Sequence, residues 1–362
     1  MPAARDVSGA ARPKRVTLRD VAARAGVSLS TASLVFSGRG PVAASTADRV
    51  RAAAEQLSYA GPDPLASSLR QGRAGTVAVV VEGRLGDAFA DPFARSVMDG
   101  LAGELDAIPA GMLLLARVPG DDARLLGQLA VAACDGVVFP LSGPRTDPAV
   151  DLIVGRGIPI VGAGSPVDPR VPQIRVDERG ASAAMTRHLT TLGHRNIGHV
   201  TMPLTPGAMT SVATAADVAD AVYGDARGRA LGVLDVAPAA RVVQAASLEI
   251  AAGMTAARLL LDTAPDARPT AVVAQSDLLA AGVIRAAGEL GIRVPEDLSV
   301  TGFDGLDLPW LDYDLTTVVQ DGRAKGRALG ELIARAMAGQ SVSSQAFPTQ
   351  LRVGTTTAVA RP

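Results

Sequence analysis

The chain is short of the residues on which most enzymatic and metal chemistry rests. It has one cysteine, Cys134, inside the apolar run VAACDGVVFP. No disulfide can therefore form within the chain, and no metal site can rest on thiolates. A single cysteine in such a run reads as an inert core residue. There are three histidines, His188, His194 and His199, with no HExxH pair and no cysteine or carboxylate partner at useful spacing. His194 belongs to a turn-like GHR. Aromatic residues are only 3% of the chain, so the cores must be built from Ala, Val, Leu and Ile. The longest apolar runs, such as TVAVVV and GMLLLARV, are too short to cross a bilayer. The opening MPAARDVSGAARPKR lacks the apolar stretch of a secretory signal. A phosphate-binding loop and a GxSxG elbow are both missing. GAGSPVD supplies GxG after a strand, but no third glycine and no following helix. These absences lead us to expect a cytoplasmic protein that is not an enzyme, uses no cofactor or metal, and has no membrane partner.

What is present is uneven. The 362 residues suffice for two or three domains. The overall charge is −1, yet residues 1–75 hold 11 Arg or Lys against 5 Asp or Glu, and the remainder holds 24 against 31. A basic head of net +6 sits on an acidic body of net −7, a distribution suited to a head that meets a polyanion. The basicity is almost all arginine, 33 against 2 lysines. That fits a GC-rich genome and is not read as function.

The head has its own pattern. In LRDVAARAGVSLSTASLVFSG, residues Leu18, Val21, Ala22 and Ala25 fall on one helical face. Thr17 and Asp20 have capping-box spacing, and Gly26 supplies the left-handed stop. Ser28 is placed to cap a second helix whose inner face is Ala32, Val35 and Phe36. Its outer face is Leu29, Ser30, Ser33 and Leu34. STADRVRAAAEQLSY predicts a third helix with Ser45 as cap and Asp48 three residues on. Three short helices with a tight glycine turn describe a helix-turn-helix. Small residues let the first two helices cross closely, and small hydroxyls let the second enter a major groove.

With those residues in view, VTLRDVAARAGVSLSTASLVFSG resembles the opening of the lactose-repressor (LacI/GalR) family, whose usual form reads V-T-[IL]-x-D-V-A-x-x-A-G-V-S-x-x-T-V-S-R-V-L-N. The family's Arg after T-V-S is replaced by Leu34. The guanine contact that Arg often makes is thus lost, and Leu34 and Leu29 are suited to thymine methyls instead. The resemblance implies a DNA-contacting set of Thr17, Leu18, Ser28, Leu29, Ser30, Thr31, Ser33, Leu34, Ser37, Thr46 and Tyr59. In AGPDPLASSLRQGRAGT it implies a hinge helix that folds when two copies pair over the operator centre. Leu69 would wedge into the minor groove, and Ala66 would meet its symmetry mate. Ser67 stands where the family often has Arg, with Arg70 and Arg73 nearby. Without the family, the same segment reads as a flexible Pro/Gly/Ser linker.

From Thr76 onward, strand-like runs (TVAVVV, GMLLLARV, DGVVFP, IPIVGAG, NIGHV, TAVVAQS, LSVTGFD) alternate with helical ones. Val- and Ile-rich runs with helical crossovers predict doubly wound parallel sheets, which bind ligands beyond the carboxyl ends of their strands. Asp91, Phe93, Asp277 and Asp304 lie near such ends. Asp277 and Asp304 also fit simple helix-capping roles, and Trp310 in DLPWLDYDLTT fits either a lid or a core. The body, too, resembles the family. VDERGASAAMTRHLTTLGHRNIGHV is similar to V-D-N-x-x-G-x-x-x-A-x-x-H-L-x-x-x-G-H-R-x-I-x-x-I, and SDLLAAGVIRAAGELGIRVPEDLSVTGFD approaches its most regular segment, with Gly305 in place of a second Asp. RALGVLDVA matches R-x-x-G-F-x-x-A, which implies that Arg229 is the effector-binding arginine.

The expected α/β architecture is then a disordered tail (1–15), a three-helix helix-turn-helix domain (16–61) and a hinge helix (62–74). An effector-binding and dimerisation domain (75–362) follows, of the type 1 periplasmic-binding-protein kind. Its two lobes are expected at about 75–174 plus 306–333, and 175–305 plus 334–362. The expected activity is that of a repressor binding a palindromic double-stranded operator as a homodimer under the control of a small molecule. By family precedent that effector is a sugar, held by Asp91, Phe93, Arg229, Asp277, Asp304 and Trp310. The body alone also fits a solute-binding protein, against which the basic head argues. No heptad tail is present to make a tetramer.

Overall fold

A computed structural model describes residues 16–38, 40–61, 73–141 and 143–361. The expected tail and the hinge contacts Ala66 and Leu69 lie outside the described residues. The chain divides into two compact units, Met1–Ala74 and Gly75–Pro362.

Among the described residues of the first unit the helices are α1 (Leu18–Ala25), α2 (Leu29–Ser37) and α3 (Ala44–Gln56). Thr17 and Asp20 make the expected capping box, and Gly26 ends α1 at φ 63°. Ser28 caps α2 by accepting from the Thr31 amide. Val21, Ala22, Ala32, Val50, Ala53 and Ala54 form the buried core, flanked by half-buried Leu18, Val35, Phe36 and Tyr59. Alanine at the crossings lets short helices approach closely enough to bury one another. Ser45 does not cap α3. The carbonyl of Ala43 already accepts from the amides of Thr46 and Ala47 (2.9 and 3.0 Å), so the helix is wound before Ser45 is reached.

The second unit begins with β1 (Thr76–Glu82), α4 (Leu85–Ala90), α5 (Pro92–Asp106), β2 (Gly111–Arg117), α6 (Asp122–Val131), β3 (Gly136–Phe139), α7 (Ala149–Gly155) and β4 (Ile160–Gly162). These four strands form a parallel sheet in the order β2-β1-β3-β4. Side-chain alternation in β1 sorts its residues between two cores. Val77, Val79 and Val81 face the helix α5, while Ala78 and Val80 face Leu125 and Leu129 of α6. Cys134 is buried on the second of these faces, as a core residue should be.

The chain continues through β5 (Ile174–Val176), α8 (Glu178–Thr191), β6 (Ile197–Thr201), β7 (Ser211–Ala213), α9 (Ala215–Ala219), α10 (Gly224–Val236), β8 (Arg241–Gln244), α11 (Ile250–Leu261), β9 (Ala271–Ala274), α12 (Asp277–Glu289), β10 (Ser299–Asp304), β11 (Thr316–Val319), α13 (Gly322–Met337), β12 (Gln345–Phe347) and β13 (Gln350–Arg352). Seven of these strands form a second sheet, β13-β11-β10-β9-β6-β8-β7, parallel except for the edge pairs β11–β13 and β7–β8. β12 pairs with β5 in a separate two-stranded ribbon.

This topology corrects the expected lobe assignment. Segment 306–333 does not travel as one piece. β11 pairs in parallel with β10, Thr301 opposite Thr316, and belongs to the second sheet. α13 returns to the first lobe, where Leu329, Leu332 and Ile333 join the core built on α5, and Leu306, Val342 and Phe347 also pack against that core. The crossing falls at Gln320–Asp321, after the β-branched run TTVV has satisfied its backbone in the second sheet.

The α5–α13 contact depends on two glycines. A Cβ on Gly100 would collide with the carbonyl oxygen of Arg323, and one on Gly326 with that of Val97. Gly326→Ala is therefore expected to destabilise the second unit by about 2 kcal/mol, since neither backbone can withdraw without moving its helix. Thermal unfolding of the variant against the parent chain checks this.

Candidate functional site

The expected site residues fall into two groups. The first centres on α2. None of its nine residues, LSTASLVFS, bears a charge or an amide. Ala32 is fully buried against Val21 and Val50, and this orients the opposite side outward. There Leu29 is 46% and Leu34 38% exposed, beside exposed Ser30 and Ser37 and half-buried Ser33. Two expected contact residues have structural employment. The Ser28 hydroxyl is engaged with those of Ser30 and Thr31 (2.8 Å each), and that of Thr17 with Asp20 (2.7 Å). Leu18 packs against the core, and Thr46 is half-buried in the first turn of α3. The Tyr59 ring stands edge-on to Phe36 with centroids 5.5 Å apart.

The second group lies at the carboxyl ends of the second sheet. Arg229, in the second turn of α10, is 4% exposed. Its Nε donates to Glu178 Oε2 (2.6 Å) and its Nη1 to the Gln275 carbonyl (2.5 Å), while Asp304 Oδ1 lies 3.8 Å from Nη1. The guanidinium also stacks over Phe303, 3.6 Å from the ring centroid. Asp304 ends β10 at φ +116°, a backbone region costly for any residue with a Cβ. Gln320 holds it there by donating from Nε2 to Oδ1 (2.8 Å). Burial pushes the Asp304 carboxyl well above the ordinary range; Arg229 opposes this, and Asp277 and Asp91 reinforce it.

Asp277 is fully buried but does not cap α12; Ser276 does. Its carboxylate instead accepts from the Leu306 amide and the Thr317 hydroxyl (2.6 Å each) and so fixes the turn after Asp304. Burial raises it to about 6 against those hydrogen bonds.

The first lobe adds Asp91, Phe93 and Lys325. Asp91 caps α5 through the Phe93 amide (2.8 Å), and burial raises its carboxyl. Phe93 is buried, with Lys325 Nζ 5.7 Å from its ring centroid. Lys325 is 6% exposed, and Nζ reaches Gln320 Oε1 at 3.4 Å; burial lowers its pKa. A polar chain thus runs from Lys325 through Gln320, Asp304 and Arg229 to Glu178, and it joins the two lobes. Sequence reasoning missed Glu178, Gln275, Gln320 and Lys325. Lys325 did leave a signal, being a charged residue at i on a helical face whose i+4 and i+7 positions, Leu329 and Leu332, are core.

Trp310 is not gathered in. It is 45% exposed and packs beneath Arg285, 5.0 Å from ring centroid to guanidinium carbon. Arg285 stands two turns along α12 from Asp277, about 12 Å at the usual helical rise. Among the described residues there is no cluster of three or more potential metal ligands, and no helix is long and apolar enough to cross a membrane.

A three-helix unit with an exposed reading helix, joined in one chain to a two-sheet body with polar groups at its strand ends, defines a DNA-binding regulator with a sensor domain. Residues 17–61 match the family described as bacterial regulatory proteins, lacI family, and residues 186–357 match the periplasmic binding protein-like domain. The HTH-type transcriptional regulator IpsA of Corynebacterium glutamicum is 34% identical over 332 residues, 88% of this chain and 90% of that one. The crystal structure of a LacI family transcriptional regulator from the same organism superposes with a TM-score of 0.71 at 26% identity, over 96% of this chain and 100% of the other. A transcriptional regulator CelR–cellobiose complex gives 0.66 at 28%, over 94% and 100%. The chain belongs to the LacI family of transcriptional regulators. Its relatives are regulators and not enzymes.

Arg229→Met is expected to cost about 3–5 kcal/mol, because Glu178 and Asp304 are left in a desolvated site without their counter-charge. Urea unfolding of the second unit's signal reads this loss.

Proposed function

We propose that the chain is a repressor that binds a palindromic operator as a homodimer and changes its DNA affinity when a small carbohydrate enters the cleft between its lobes. The observation that carries this reading is the buried chain from Lys325 to Glu178. Its donors and acceptors, drawn from both lobes beside Phe93 and Phe303, suit the hydroxyls and apolar faces of a sugar. Asp91, Phe93, Arg229 and Asp304 are the binding residues on this reading, with Lys325 and Gln320 added, the expected Asp277 supporting the turn after Asp304, and Trp310 peripheral. The CelR relative whose structure is a cellobiose complex supports the ligand class. A single short reading helix per head favours two copies on two half-sites. Opening or closing of the lobes would alter the link to the heads, and so couple effector to DNA by differential affinity. The reading implies a cytoplasmic protein.

On the DNA side, α2 has no Arg, Asn or Gln with which to grip guanine or adenine in bidentate fashion. We assign base reading to the methyl groups of Leu29 and Leu34, set against thymine methyls, and to the hydroxyls of Ser30 and Ser33.

Selection of bound duplexes from a random pool by the full chain tests the regulator reading, followed by release with a panel of mono- and disaccharides headed by cellobiose. A specific sequence and release by one sugar are expected; the absence of any selected sequence would sink the repressor proposal. Within the selected site, replacing the thymines under α2 by deoxyuridine removes only methyl groups. It should weaken binding by about 1 kcal/mol, roughly fivefold, per thymine. Leu34→Ala should abolish that sensitivity at one position.

A further inference from the structure

A second charged cluster sits at the carboxyl ends of the first sheet, apart from Arg229. Arg117, the last residue of β2, is 4% exposed and faces three carboxylates. These are Glu82 at the end of β1 (Nε to Oε2, 3.4 Å), Asp122 at the start of α6 (Nη1 to Oδ1, 2.9 Å) and Asp147 from the loop after β3. One guanidinium among three carboxylates leaves an excess of negative charge that a proton would relieve. The second lobe reaches into this cluster. The Tyr223 hydroxyl, on a residue 8% exposed, donates to Glu82 Oε1 at 2.9 Å. Beside it the Arg145 amide donates to the Val222 carbonyl (3.0 Å), and Pro144 and Tyr223 form an isolated antiparallel bridge. Residue 82 and the 144–145 loop of the first lobe therefore grip residues 222–223 of the second. Tyr223 immediately precedes α10, whose second turn carries Arg229.

We infer that Glu82 and Tyr223 form a proton-linked clasp between the lobes, and that they act as positioning residues for α10 and its arginine. The groups that face Glu82 are Tyr223, Arg117, Asp147 and Asp122, with Asp225 also acting on the tyrosine. Burial raises Glu82 to about 7. Tyr223 and Arg117 oppose the shift, and Asp147 and Asp122 add to it. Burial, then the Glu82 charge, pushes the Tyr223 hydroxyl up, so it stays a donor. When the lobes part, Glu82 meets water and returns to the ordinary carboxylate range. The clasp is thus fully stabilised below that range and weakens as pH rises through about 7, where closing the lobes means desolvating an ionised Glu82. The clasp needs no effector, so a chain that binds no sugar leaves it standing.

Amide hydrogen exchange of Arg145 in the full chain, corrected for the intrinsic pH dependence of exchange, reads the grip directly. Protection should fall on the order of tenfold between about pH 5.5 and about pH 8.5. Glu82→Gln, neutral throughout, should keep protection high and flat. Tyr223→Phe should lower protection at every pH, and a peptide spanning α10 should follow the same profile. A flat profile in the parent chain overturns the clasp, as does a slope that survives Glu82→Gln. A slope that persists there but vanishes in Asp147→Asn assigns the proton elsewhere and equally overturns it.

Discussion

A guanidinium removed from water has to be matched, and the body of this protein is arranged around that requirement. Arg229 is too buried for solvent to serve it, so its partners come from the chain: the first residue of α8, the carbonyl after β9 and the last residue of β10. One side chain thereby ties a helix to two strand ends of the second sheet, at the edge where doubly wound folds bind ligands. Asp304, held at a strained φ, is served in turn by Gln320, and Gln320 lies where the chain leaves the second sheet for the first lobe. The electrostatic demand of one residue is passed across the crossing to Lys325. On the proposed reading, a ligand entering here would meet groups already oriented and already short of water, which is where hydrogen bonds discriminate best.

The two lobes are also held at a second place, by different chemistry. The Arg229 chain is largely balanced in charge. The cluster at Arg117 is not, and its surplus carboxylate is the one that takes a hydroxyl from the opposite lobe. α10 connects the two, with Tyr223 before its first turn and Arg229 within its second. Whatever shifts this helix is felt at both.

Much of this was readable from residue order. The helices α1 and α2, their caps and their inward alanines follow from spacing alone, because capping and 3.6-residue periodicity are local. The strands of the first sheet follow from Val-, Leu- and Ile-rich runs, and attention to Arg229 from its resemblance to a family motif. What escaped is non-local. Ser45 looked like a cap because the carbonyl geometry of Ala43 cannot be seen in a sequence. β11 was assigned to the wrong lobe because TTVV pairs equally well with any parallel neighbour, and only the completed sheet selects β10. Glu178, Gln275 and Gln320 are polar residues at unremarkable spacing, significant only because three elements converge on one arginine. Glu82 and Tyr223 stand 141 residues apart and have no common pattern. Trp310 drew attention by its rarity, yet its partner is Arg285 and not the cleft.

The head has the reverse arrangement: α2 holds no arginine, and among the described residues Arg19 and Arg24 lie on α1 and Arg49 and Arg51 on α3. On the reading proposed above, attraction to a polyanion and discrimination among its bases are entrusted to separate groups. Phosphate neutralisation releases counterions and weakens with ionic strength, whereas methyl and hydroxyl contacts release none. A cell whose ionic strength rises would see this protein loosen from all DNA together, with its ranking of one site over another nearly unchanged.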